Sequence, residues 1–181
     1  MSDRIPRLEL EAMPPSLAEA LRPRVERLGY LGEFFRCAAN APDALLAFHQ
    51  FTEALKQELP EGVTEVVALT VAARLGNTYE RHQHERLCRR LGFTDEWIRA
   101  VEALRPETLE GRDGAVQRLA LAMLERYGHG VAAELEAMID ALGAPQAMAL
   151  LLAVGRYVTH SLIVNALALA PPVASIFDRA E

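Results

Sequence analysis

Residues 64–93 read TEVVALTVAARLGNTYERHQHERLCRRLGF, and the break inside this stretch decides the fold. Val67, Leu69, Val71 and Ala72 make most of the surface of Thr64–Leu75 apolar, which places that helix at the centre of the molecule. Gly76–Asn77 stops the run, because glycine supplies a helix C-terminus and asparagine an N-cap. A second helix continues to Arg90, and Gly92 ends it in the same way.

On both sides of this pair every sizeable segment has helical period, and none alternates as a strand would. Pro14–Pro15 ends an irregular leader, and Ser16 with Glu19 makes a capping-box signature for a short first helix. Tyr30–Ala39 carries Leu31, Phe34 and Phe35 at helical spacing and stops at Asn40. Pro42 opens a helix that runs to about Glu58, with Leu45, Phe48, Thr52 and Leu55 on one face. Thr94 caps another through about Arg105, with Asp95 and Glu96 where the helix dipole favours acids. Segments near Gly114–Tyr127, Val131–Leu142 and Pro145–Ala168 complete the chain. The expectation is all-α: one domain over 1–181, with a core at 29–104, C-terminal helices at 113–169 and irregular termini. Its bundle should hold about seven to eight helices.

Composition bounds the function. The chain has 181 residues, a size that suits one domain, and 51% of them are apolar, too many for disorder. A net charge of −6 argues against a nucleic-acid partner, which rewards a basic face. Cys37 and Cys88 cannot make a disulfide framework, and Met1–Arg7 lacks the apolar stretch of a secretion signal, so a reducing cytoplasm is expected. Ala147–Ala170 is strongly apolar, but Arg156, His160 and Asn165 interrupt it; it reads as a buried helix, with no membrane partner.

Histidine is scarce, which singles out Tyr79-Glu80-Arg81-His82-Gln83-His84-Glu85. Glu80 and His84 are one turn apart on a helix and share a face with Asn77 and Cys88. His82 and His84 lie about 160° apart, so they cannot chelate one ion. Glu-x-x-His ligand pairs are absent, and no metal and no cofactor are expected. Glu65 sits in the first turn of the preceding helix, and antiparallel packing or a sharp bend returns it towards Glu80 and His84. A carboxylate beside an apolar wall has its pKa raised unless the histidine beside it is protonated, and a neighbouring histidine can share its proton. Neither Glu80 nor His84 is expected to support core packing.

The pattern Glu65, eleven residues, Asn77, two residues, Glu80, three residues, His84 resembles the carboxymuconolactone decarboxylase/alkylhydroperoxidase D-like superfamily. Its peroxidase branch has Cys-x-x-Cys where this chain has Asn77 and Glu80. Members without the cysteines look like Tyr-Glu-x-x-x-His, matched here by Tyr79, Glu80 and His84. Ala38-Ala39-Asn40-Ala41-Pro42 and Arg89–Phe93 resemble the family's flanks, and the likeness is strongest over Gly29–Leu104.

The resemblance implies a helical bundle of the alkylhydroperoxidase D-like type that assembles into homo-oligomers, trimers or hexamers. It implies a small-molecule substrate, with Glu65, Glu80 and His84 as candidate catalytic residues. Asn77, Tyr79, Arg81 and His160 are the candidate substrate-binding residues, and the small acid of the family's decarboxylase branch makes Arg74, Arg81 and Arg156 candidates to hold a substrate carboxylate. Without a redox pair the expected chemistry is general acid–base, of lyase, isomerase or hydrolase type, on a small organic acid or lactone. The alternatives are a ligand-binding or assembly protein that has lost the thiols, and a peroxidase acting through Cys88. A raised carboxylate pKa beside an enclosed pocket would favour the enzyme; an open Glu80 paired with Arg81 would favour the binding protein.

Overall fold

The computed structural model describes residues 4–178; the outermost parts of the expected irregular termini, 1–3 and 179–181, lie outside the described residues. Within them the chain is all-helical: α1 (Pro15–Leu28), α2 (Glu33–Ala38), α3 (Pro42–Glu58), α4 (Glu61–Arg74), α5 (Thr78–Arg90), α6 (Asp95–Glu102), α7 (Gly111–Glu125), α8 (Ala132–Leu142) and α9 (Ala144–Ala166). That is nine helices among the described residues, one for each helical segment read along the sequence and above the seven to eight expected of the bundle. Short 3-10 turns at Leu10–Ala12 and Pro106–Thr108 interrupt the leader and the link before α7.

Helix α4 is the axis of the bundle. Every residue from Val63 to Ala72 is buried, and α5, α7 and α9 pack around it. Full burial of Val66, Val67 and Leu69 contributes about 1.5–3 kcal/mol each. A second apolar cluster joins Leu17, Leu21, Phe34, Phe35 and Leu45 to Tyr79 and Val164, and so lays α1 and α2 over one end of the bundle.

Local signals decide the register of the two central helices. Gly76 has φ +65°, a left-handed conformation that suits glycine and turns the chain after α4. Asn77 then caps α5, its Oδ1 accepting from the Glu80 amide at 3.1 Å. Asn77 Nδ2 also donates to Ser161 Oγ at 2.9 Å, and Asn165 Nδ2 donates to the Leu75 carbonyl at 2.9 Å, which ties this corner to α9. Thr94 caps α6 and Pro42 opens α3, as their positions suggest.

Two boundaries differ from the sequence reading. Helix α1 begins at Pro15, so Ser16 is already helical and no side chain caps that end; the Ser16/Glu19 capping box does not form. Helix α4 begins at Glu61, which puts Glu65 in its second turn rather than its first. Helix α9 is long and apolar enough to cross a membrane by composition, yet ten of its residues, including Arg156 and His160, are buried in the bundle.

Candidate active site

Glu65, Glu80 and His84 converge. His84 Nδ1 donates to Glu65 Oε2 at 2.7 Å, joining α5 to α4, and His84 Nε2 lies 3.6 Å from Glu80 Oε2 one turn away. They line one side of a cavity of about 310 Å³, the size of a small-molecule site. Leu28, Leu87 and Leu91 supply apolar wall, and Tyr157 sets its ring edge against the imidazole, centroids 5.4 Å apart.

Electrostatics place the proton on the histidine. Burial pushes the His84 pKa down, but the carboxylates of Glu65 and Glu80 outweigh it and hold the imidazole at about 9. At neutral pH His84 is therefore an imidazolium between two carboxylates. The expected raised carboxylate is corrected for Glu80. Burial pushes its carboxyl up, but facing His160, Arg156 and His84 pull it well below the usual range. His160 is itself held neutral, its pKa driven to about 3 chiefly by burial, so the cations acting on Glu80 are Arg156 and His84.

Arg156 is the anchor of this arrangement. Its Nη1 donates to Glu80 Oε2 at 3.1 Å and its Nε donates to Thr52 Oγ1 at 3.1 Å, with all three residues buried. Glu80 thus belongs to a buried ionic network, which corrects the expectation that it is dispensable for folding. Arg156 faces Glu80 from within the protein and is not a free carboxylate clamp, while Arg74 pairs at the surface with Glu125.

The other expected site residues fall in different places. Arg81 points away from the cavity and pairs with Glu85 at 3.4 Å, so it is corrected as a substrate contact. Tyr79 is buried behind the site, its Oη accepting from the Phe34 amide at 3.3 Å, and Gly32 leaves room for that oxygen. Asn77 is committed to its cap and to Ser161, and His160 lies behind Glu80, its Nδ1 3.4 Å from Oε1 without hydrogen-bond geometry. Asn77, Tyr79 and His160 therefore support the site from behind instead of lining it.

Three residues escaped the sequence reading. Arg24 of α1 lines the cavity with its guanidinium 4.4 Å above the Phe35 ring, and its buried Nε has no hydrogen-bond partner among the described residues. Thr52 orients Arg156. Tyr157 is buried at the cavity wall, and burial keeps its phenol protonated. No spacing in the sequence links Arg24 to Glu80; only the lone arginine and histidine one turn apart on apolar α9 hint at the anchor.

Cys88 is fully buried, with Sγ 3.5 Å from Glu65 Oε2; burial and that carboxylate push its thiol far above the ordinary range. Cys37 belongs to the other apolar cluster. Among the described residues no group of three or more His, Cys, Asp or Glu is placed to hold a metal ion.

Comparison with known proteins agrees with this fold. Residues 41–125 match the carboxymuconolactone decarboxylase family. No curated protein sequence is a significant match. The chain is similar in structure to an uncharacterized peroxidase-related protein from Ralstonia eutropha JMP134, described as an alkylhydroperoxidase AhpD core. The two share 19% identity at a TM-score of 0.81, over 93% of this chain and 91% of that one.

Proposed function

We propose that the chain is a member of the carboxymuconolactone decarboxylase/alkylhydroperoxidase D-like superfamily and an acid–base enzyme acting on a small organic acid or lactone, a reading supported by the family match over residues 41–125 and the shared fold. One observation carries this reading: a half-buried imidazole held between the carboxylates of Glu65 and Glu80, beside a cavity sized for a small molecule.

Decarboxylation, lactone opening and double-bond isomerisation share a need for a proton at a developing anion. When CO₂ leaves, its bonding electron pair stays on carbon and delocalises into a neighbouring carbonyl, and a proton must then be added. His84 Nε2 is the donor on this reading. Nδ1 stays bonded to Glu65, so the imidazole keeps its orientation as the charge is lost, and solvent restores the proton. Arg24, which lines the cavity, receives a substrate carboxylate, and the Tyr157 phenol donates to an oxyanion.

The buried Glu80–Arg156 pair differs from the open Glu80–Arg81 pair expected of a binding protein. A thiol peroxidase reading is weakened by the buried, protonated Cys88, since a thiolate is the nucleophile such chemistry needs. The test is a panel of small carboxylates and lactones incubated in D₂O and followed by NMR. The reading expects turnover or carbon-bound deuterium in at least one compound, lost in His84→Gln; turnover that persists in His84→Gln would overturn it.

A further inference from the structure

Beside the His84 cavity lies a groove of about 360 Å³ between the end of α1, the outer face of α5 and the segment after α9. Four arginines line it, Arg27, Arg86, Arg89 and Arg90, and no acidic residue does, in a chain whose net charge is −6. Two of the four are committed. Arg89 holds Asp95 through both carboxylate oxygens at 2.7 and 2.6 Å, and Arg86 Nε donates to the Ala174 carbonyl at 3.1 Å. Arg27 and Arg90 make no ion pair among the described residues.

The groove has a fixed wall. Fully buried Glu85 accepts from Ser175 Oγ at 2.6 Å and from the Ile176 amide at 2.9 Å, and His82 Nδ1 donates to the Val173 carbonyl at 3.1 Å. These bonds pin residues 173–176 along α5, where Val173 and Ile176 line the groove. The groove is also continuous with the candidate active site, since Arg27, Leu28, Gln83 and Arg90 line both.

We propose that this groove is a second anion subsite, which takes the phosphate-like dianionic end of an elongated substrate whose other end reaches His84. Two uncommitted guanidinium forks present more parallel donors than one carboxylate accepts, and a terminal phosphate offers three oxygens to them. The apolar contacts of Leu28 between the two sites suit the connecting carbon chain. The part played by the far end of the ligand rests on the acid–base reading above, whereas the anion subsite does not.

The experiment titrates the full chain with inorganic phosphate, butyl phosphate and butyrate, by calorimetry and by NMR of the histidine rings. Phosphate should bind in a salt-sensitive manner, and Arg27→Ala/Arg90→Ala should weaken it roughly tenfold or more, as loss of charge-assisted hydrogen bonds does. Both arginines are exposed, so the fold is not at stake. His84→Gln should leave phosphate affinity unchanged. Butyl phosphate should bind more tightly than phosphate or butyrate and shift the His84 resonances, which separates a phosphate ester from the free ion. Absent phosphate binding, or affinity equal in wild type and the double arginine variant, would overturn the subsite. If phosphate binds through these arginines while His84 lacks a raised pKa, the subsite stands and the acid–base reading falls.

Discussion

Arg156 Nη1 lies 3.1 Å from Glu80 Oε2, an ion pair between α9 and the first turn of α5 in which both side chains are buried. The pair holds Glu80 ionised, and an ionised Glu80 helps His84 keep its proton. The charge state of the site is therefore set by a residue 76 positions away in sequence.

Arg156→Ala should destabilise the protein by roughly 3–5 kcal/mol, because it strands a buried carboxylate. Arg156→Lys should recover part of that, since it restores charge without the second bond to Thr52. Urea denaturation measures both; an Arg156→Ala protein of wild-type stability would contradict the assignment.

The raised pKa of His84 predicts how stability depends on pH. Its folded pKa of about 9 exceeds the unfolded value of 6.5, so its contribution is complete below 6.5 and is lost as pH rises through 9. The shift corresponds to on the order of 3 kcal/mol. His84→Gln should flatten this alkaline limb in denaturation curves, and an equally steep limb in the variant would count against it.

Tyr79→Phe should cost roughly 1–3 kcal/mol by leaving the buried Phe34 amide unpaired, without changing ligand affinity. A large affinity loss at unchanged stability would return Tyr79 to the cavity.

We propose that Met148, Leu152, Leu162 and Ile163, the exposed apolar residues of α9, pack on a second copy of the chain. Light scattering should show a homo-oligomer, a trimer or hexamer, that Leu152→Glu/Leu162→Glu dissociates. A wild-type monomer at micromolar concentration would reject this assembly.

The sequence was most informative where the signal is local. Asn77, Thr94 and Pro42 each set a helix end by one side chain's own chemistry, whereas the Glu65, Glu80 and His84 spacings left convergence open, since they fit surface pairing as well. The Ser16/Glu19 box misled because Pro15, with its fixed φ, starts α1 one residue earlier. The carboxylate pKa was misjudged for a different reason: Arg156 and Thr52 come from α9 and α3, and only tertiary packing brings them to Glu80. Arg24 was illegible for the same reason, as a helix-surface arginine in sequence that folds over the cavity.

The most direct test of the central claim is the pKa of the His84 imidazole, read by NMR with ¹⁵N-labelled histidine and assigned with His84→Gln. The account predicts titration near 9 in the wild type and a clear fall towards 6.5 in Glu65→Gln, which removes the charge 2.7 Å from Nδ1. A wild-type value at or below 6.5, or one unmoved by Glu65→Gln, would contradict it.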